Sequence, residues 1–379
     1  QIKELVDEAL ARPEAERAAF VARRAGSDDA LRAEVESLLA AWDRAESSGA
    51  ITAAFDVTAT AGGAPDAARL GQVVGSWRLD AFIGHGGMGV VYRGEHTDAR
   101  LGQRAAIKLL RQDYRPADLR RFRDEQRILA RLEHPHIARM LDAGLTEDGT
   151  PYLAMEYVDG EPLLEYCRSH RLDLNARLEL FEAICMAVQA AHRSLIVHRD
   201  LKPSNIFLHK DKSGSVVPKL LDFGVSKFLE DDQNHALTVA GTVLGSPLYM
   251  SPEQARGDQN LDGRTDVFAF GAIMFEALTG FRPYEGANFN QLIVTIATKQ
   301  PKNVDECAPE MPEALRAVVR TSLEPDRDKR IGSFDTVAEM LYNALPELES
   351  SPMRLPAPQA RSLQPDPDAT NALPVVRPS

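Results

Sequence analysis

The chain has 379 residues, 44% of them apolar, with a formal net charge of −12. Such a length suggests roughly two or three domains and enough apolar content for a real core. The acidic balance, with no dense basic run, argues against direct binding to nucleic acid or to an anionic membrane surface.

Residues 1–46 read as helical. Leu5, Val6, Ala9 and Leu10 make a short apolar stripe, and Pro13 suits the first turn of a second helix that runs to Arg24 and holds Phe20. Leu31, Val35, Leu38, Leu39 and Trp42 recur at three- and four-residue steps, with Arg32, Glu34 and Glu36 opposite. Three short helices are too small for an independent core, so the stretch is either a docking module for a partner or an extension that packs on the next domain. Residues 47–72, rich in Ala, Gly, Ser and Thr, read as a linker.

From residue 73 the period changes to that of strands. Trp77, Leu79, Ala81 and Ile83 alternate with polar neighbours, then Gly84-His85-Gly86-Gly87-Met88-Gly89 precedes Val90, Val91 and Tyr92. A G-x-G-x-x-G in a dinucleotide-binding fold opens a helix. Here β-branched residues follow at once, so strand, Gly-rich hairpin, strand is expected. Glycines in such a hairpin let backbone close over phosphate groups. Arg104 to Leu110 reads as the next strand and carries Lys108. A helix is expected from about Pro116 to Leu132, with Phe122, Glu125, Ile128, Leu129 and Leu132 on neighbouring faces. His134 and His136 flank Pro135; with no helical spacing they suit a loop motif better than a metal site.

Pro151 to Val158 reads as a strand feeding a connection, and Asn175 to His192 as a long apolar-periodic helix. His198-Arg199-Asp200-Leu201-Lys202-Pro203-Ser204-Asn205 packs a carboxylate, an ammonium and a carboxamide into a short run. It lies between apolar Leu195-Ile196-Val197 and Ile206-Phe207-Leu208, so strand, loop, strand is expected, with the loop carrying the chemistry. A hairpin follows around residues 212–215, then Asp222-Phe223-Gly224 and a polar segment ending at Ser251-Pro252-Glu253. Asp266 opens the most apolar helix of the chain. After Pro346 the composition becomes rich in Pro, Ala, Ser and Asp, and residues 347–379 read as a disordered linker.

Cys167, Cys185 and Cys307 are widely spaced and form no C-x-x-C pair, which disfavours a disulfide framework or a zinc site and fits a reducing, cytoplasmic setting. The most apolar stretch, Val267 to Leu278, is too short for a membrane span and contains Glu276. The chain opens on Gln1 and closes in Pro-rich sequence, so it is expected to be part of a longer protein, which leaves open an inner-membrane anchor elsewhere in the parent.

Taken together, residues 73–346 resemble a bacterial eukaryotic-like (Hanks-type) serine/threonine protein kinase. The motifs carrying the resemblance occur in family order: Gly84–Val91, Lys108 in Ala105-Ala106-Ile107-Lys108, Glu125, His198–Asn205, Asp222–Gly224, and Ser251–Glu253 in place of A-P-E. The resemblance implies an α+β, two-lobed kinase fold, a β-rich N-lobe over a helical C-lobe, with a small N-terminal helical extension. It implies ATP and Mg²⁺ as cofactors, with Mn²⁺ as a substitute. Ile83, Gly84, His85, Gly86, Gly87, Met88, Gly89 and Val91 would cover the nucleotide. Lys108 would hold its α- and β-phosphates and pair with Glu125, which stands nine residues before His134; Asp124 and Glu133 are alternative carboxylates. Met155, Glu156 and Val158 would line the adenine side. Asp200 would orient the substrate hydroxyl and accept its proton, Lys202 would offset phosphoryl charge, and Asn205 and Asp222 would bind the metal. Arg330 would pair with Glu253 in a buried ion pair.

Lys202-Pro203-Ser204 follows the serine/threonine pattern rather than the tyrosine one. Partners would be protein substrates, and bacterial members of this kind act on transcription factors, including sigma factors, or on secretion. Ser246 stands where Thr is usual and Ala269 where Ser is common; neither change suggests a dead enzyme. An ATP-binding pseudokinase scaffold would usually lack Lys108, Asp200 or Asp222, and all three are present. A small-molecule phosphotransferase is disfavoured by the Ser-Pro-Glu segment. Arg199, beside Asp200, goes in the family with control by a phosphate in the segment from Asp222 to Glu253, for which Thr238 and Thr242 are the candidates.

Overall fold

The computed structural model describes Phe20, Arg24 and residues 69–86, 89–110, 132–211, 213–223, 247–286 and 288–349. Phe20 and Arg24 are helical; the rest of the expected N-terminal helices lies outside the described residues, as do Glu125, Gly87, Met88, Thr238, Thr242, Ser246 and residues 350–379 of the expected linker, whose first three residues, 347–349, instead continue the last helix.

The N-lobe is a six-stranded antiparallel sheet in the order β1-β2-β3-β4-β6-β5. Its strands are β1 (Val73–Val74), β2 (Trp77–Gly86), β3 (Gly89–His96), β4 (Arg104–Leu110), β5 (Met140–Leu145) and β6 (Pro151–Glu156). Period-two alternation sets the faces: Trp77, Leu79 and Ile83 are buried, while Arg78, Asp80 and Phe82 point outward. Trp77, Leu79, Tyr92, Ile107 and Tyr152 pack into one apolar cluster on the sheet. Gly89 is forced by this sheet, because a Cβ there would lie 1.9 Å from the carbonyl oxygen of Leu109. The last glycine of the motif is thus accounted for by strand packing, apart from any contact with phosphate.

The C-lobe holds helices α1 (Leu163–Ser169), α2 (Leu174–Arg193), α3 (Pro252–Arg256), α4 (Arg264–Thr279), α5 (Phe289–Thr298), α6 (Val304–Cys307), α7 (Glu313–Ser322) and α8 (Phe334–Glu349). A small antiparallel sheet, β7 (Glu161–Pro162), β8 (Ile206–Lys210) and β9 (Val216–Leu220), lies with them. Helix α4 is apolar all round because it is buried all round: every residue except Arg264 and Glu276 is buried. Phe268, Phe270 and Phe275 are fully buried in it, each stabilising the fold by about 2–3 kcal/mol. Helix α2 is capped by Asp173, whose carboxylate accepts from Ala176 N–H. It packs on α4 through an edge-to-face contact of Phe181 with Phe270, and α8 lays Val337, Leu341 and Ala344 into the same core. Among the described residues no helix is long and apolar enough to cross a membrane.

One expectation fails. Leu195-Ile196-Val197 is not a strand. Leu195 takes the left-handed position just past α2 (φ 61°), its N–H bonding to the carbonyl of His192, and its side chain is 93% exposed. Tertiary hydrogen bonds from α4, described next, hold the residues that follow, so no strand partner is required.

Candidate active site

The segment His198–Asn205 leaves α2 and ends in a short 3-10 turn, Pro203–Asn205, before β8. Asp266, fully buried at the start of α4, fixes its first residues. Its carboxylate accepts from the N–H of His198 (2.7 Å), the N–H of Arg199 (2.8 Å) and Nε2 of His192 (2.8 Å). Arg199 sits at φ 63°, a left-handed conformation costing about 1–2 kcal/mol for a side chain of this kind, and these bonds hold it there. His198 is buried. Its Nε2–H donates to the carbonyl of Leu221 (3.0 Å), and Nδ1 accepts from Asp200 N–H (3.4 Å), which sets the tautomer. Its ring lies 4.6 Å from that of Phe223.

Around this frame the polar groups converge. Lys202 Nζ lies 3.2 Å from Asp200 Oδ2. Asn205 Nδ2 donates to the carbonyl of Asp200 (2.8 Å) and reaches its Oδ2 at 3.4 Å, so the carboxamide oxygen is turned to the other side. Leu221 N–H donates to Asn205 O (2.8 Å), tying the catalytic segment to the strand that delivers Asp222. From the N-lobe, β4 brings in Lys108, paired with Val91 across β3 and with Leu153 across β6. Its Nζ donates to Asp222 Oδ2 at 2.7 Å. Burial pushes the Asp222 carboxyl pKa up, but the charge and hydrogen bond of Lys108, with Lys202 and His198, outweigh it and leave it below the usual carboxylate range. Asp222 also takes a positive φ, 58°.

Met155, with Leu132, Met140, Leu153, Asp222 and Phe223, lines a small cavity of about 30 Å³. Val158 and Ile83 are buried, while Met155, Glu156 and Val91 are half-buried. The side chain of Glu156 turns away to accept from Lys219 Nζ (2.9 Å) of β9 and Arg139 N–H (3.2 Å). His134 and His136 behave as a loop motif. His136 N–H donates to His134 Nδ1 (3.2 Å), and His136 Nδ1 meets the carbonyl of Pro218 (3.0 Å). Glu253 and Arg330 meet in two hydrogen bonds of 2.6 and 2.9 Å, with side chains 3% and 0% exposed.

The structure therefore brings together Lys108, Asp200, Lys202, Asn205 and Asp222. Asp266, His192 and Gln254, whose Nε2 donates to the carbonyl of Arg199, take part in the frame and were not singled out from sequence as functional. The one available signal was a carboxylate opening an otherwise apolar helix. The oxygen-only pair Asn205 and Asp222 fits a hard divalent cation, since one oxygen of each remains after the bonds above.

Comparison with known proteins agrees. The protein kinase domain family matches residues 77–342. The chain is 36% identical over 280 residues to the serine/threonine-protein kinase Pkn1 of Myxococcus xanthus, covering 73% of this chain and 39% of that protein. It is 38% identical over 257 residues to PknA of Mycobacterium tuberculosis, covering 66% of this chain and 56% of that protein. The crystal structure of the Mycobacterium tuberculosis PknI kinase domain superimposes with a TM-score of 0.55 at 25% identity, over 73% of this chain and 98% of that one. The chain belongs to the protein kinase family, in its bacterial Hanks-type serine/threonine branch. That family is two-lobed, uses ATP with a divalent metal and phosphorylates protein hydroxyls. The chain spans about 40–55% of the length of the two relatives named.

Proposed function

We propose that this chain transfers the γ-phosphoryl group of ATP to serine and threonine hydroxyls of proteins, in bacterial signalling. The observation that supports it best is one connected set, Lys108 on Asp222 and Lys202 and Asn205 on Asp200, held on a backbone that Asp266 pins. Asp200 orients the incoming hydroxyl and accepts its proton, and Lys202 beside it offsets charge on the phosphoryl group. Lys108 would hold the α- and β-phosphates, with Glu125 as its expected partner by resemblance to the family. Ile83 to Val91 would cover the nucleotide, and Met155, Glu156 and Val158 would line the adenine side. Asn205 and Asp222 would hold Mg²⁺, or Mn²⁺ in its place, and such a cation would supply neutralisation of phosphate charge.

Protein substrates, transcription or sigma factors among them, are the partners this reading favours. Residues 1–46 serve docking or regulation and are dispensable for transfer, so a chain shortened to begin at Leu70 should still phosphorylate a generic substrate. Labelled ATP, Mg²⁺ and a generic basic protein test the reading. Asp200→Asn should keep nucleotide binding and lose roughly 10²–10⁴ in turnover; near-wild-type turnover would remove Asp200 from its role.

A further inference from the structure

Ser251-Pro252-Glu253-Gln254 forms the first turn of α3, at the end of the segment that in kinases controls activity. Its fourth residue has two separate jobs. Gln254 Oε1 accepts from Ser251 N–H (3.1 Å) and Ser251 Oγ (3.3 Å), while Gln254 N–H donates to Ser251 Oγ (3.4 Å), which closes a capping box. The other end of the amide leaves the helix. Gln254 Nε2 donates to the carbonyl of Arg199 at 2.7 Å. The amide orientation is unambiguous, because a backbone N–H can only donate and a backbone carbonyl can only accept.

The carbonyl of Arg199 and the N–H of Asp200 are two ends of one rigid peptide plane. Gln254 holds the oxygen end, and His198 Nδ1 holds the nitrogen end at 3.4 Å. Asp266 on α4 holds the preceding plane through Arg199 N–H. The left-handed Arg199 is therefore fixed from both sides, and the Cα that carries the Asp200 carboxylate hangs from the plane that Gln254 clamps.

We propose that Gln254 is a positioning residue for phosphoryl transfer, coupling the anchor of the activation segment to the aim of Asp200. The inference rests on the kinase reading above. Through it, seating of Ser251–Gln254 and alignment of the catalytic carboxylate become one event, because a displaced α3 withdraws the donor from Arg199.

Gln254→Glu separates the two jobs. Glutamate is a good capping-box partner and keeps the acceptor, but its carboxylate cannot donate to Arg199 O. Gln254→Met fills a similar volume and removes both. Each full-length variant is compared with wild type and Asp200→Asn in two measurements: hydrogen exchange of the peptide covering 196–206 against one from α4, without nucleotide, and kcat with KM for ATP. For both Gln254 variants we expect folded protein, an unchanged KM for ATP, kcat lower by about tenfold, and faster exchange in 196–206 only. Folded variants with wild-type kcat and exchange would overturn the inference. So would loss of fold in both variants, which would make the residue structural; if only the Glu variant fails to fold, the Met variant decides on the same measurements. An active Asp200→Asn protein would sink the kinase-site reading itself, whereas a dead Asp200→Asn beside unimpaired Gln254 variants sinks only this inference.

Discussion

Removing one half of the Glu253–Arg330 pair should be the most damaging change outside the reacting groups. Arg330 has five N–H donors and the structure uses all of them: Nε on Glu324 O (2.8 Å), Nη1 on Glu253 Oε1 (2.6 Å) and Arg264 O (2.9 Å), Nη2 on Glu253 Oε2 (2.9 Å) and Pro325 O (3.3 Å). Thr265 Oγ1 adds a third donor to Glu253 at 3.1 Å, and the guanidinium lies 4.9 Å over the Phe268 ring. Arg330→Met keeps much of the volume but leaves the buried carboxylate without its cation. The expected cost is about 3–5 kcal/mol, a fall in Tm of roughly 10 °C for a domain of this size. Glu253→Met should cost a similar amount, and the double variant far less than the sum, since no charge then remains unpaired. Burial raises the Glu253 pKa, but Arg330 holds it below the usual range. Its contribution is therefore full above about pH 4.5 and lost as pH falls through the folded value. Urea unfolding of the four proteins at pH 7 measures the cycle. A single variant costing under about 1 kcal/mol, or strict additivity in the double, would refute the argument.

Three further outcomes follow from other parts of the molecule. Asp222→Ala and Asn205→Ala should each raise the Mg²⁺ needed for half-maximal activity, Asp222→Ala by more because it removes charge as well as an oxygen; an unchanged Mg²⁺ titration for Asp222→Ala contradicts the assignment. Leu195→Gly should stabilise the protein by about 0.5–1 kcal/mol, since left-handed strain of about 1–2 kcal/mol is relieved while the more flexible unfolded chain returns part of it; the side chain is 93% exposed, so little burial is lost, and a lower Tm would count against this. Burial, with Lys219 nearby, depresses the His136 pKa despite the Pro218 carbonyl, so the unfolded state binds the proton first and stability should drop as pH falls below about 6.5. His136→Asn should flatten that part of the urea-midpoint profile, and an unchanged profile would remove His136 as its source.

What could be read in advance follows how local each feature is. The catalytic segment and the strands around Lys108 were legible because contiguous residues carry both their pattern and their chemistry. Leu195–Val197 misled because an apolar run guarantees neither burial nor pairing: only Ile196 of the three is buried, and the turn at Leu195 and the bonds from Asp266 decide the path. Asp266 and Gln254 act across long sequence separations through a backbone N–H and a backbone carbonyl, and backbone partners leave no mark in the sequence. The hydrogen bond of Lys108 to Asp222, 114 residues away, is likewise a meeting that no local pattern announces.

The last prediction concerns how the enzyme is switched on. Arg199 directly precedes Asp200, and its backbone is held at both ends, by Asp266 and by Gln254. Its guanidinium therefore starts from a fixed base. A phosphate adds about −1.5 to −2 charges and three acceptor oxygens, a bidentate match for an arginine. We propose that the kinase phosphorylates Thr238 or Thr242 in its own activation segment, and that Arg199 binds that phosphate. Thr238 is the first choice, because it stands eight residues before Ser246, at the position where the family usually has a threonine. Mass spectrometry of freshly purified wild type should find phosphate on Thr238 or Thr242, and an Asp200→Asn protein made the same way should carry none. Arg199→Ala should keep the modification in long incubations yet lose most of the activation it brings. A fully active enzyme with an unmodified segment would rule the switch out, and phosphate on the Asp200→Asn protein would assign the modification to another kinase.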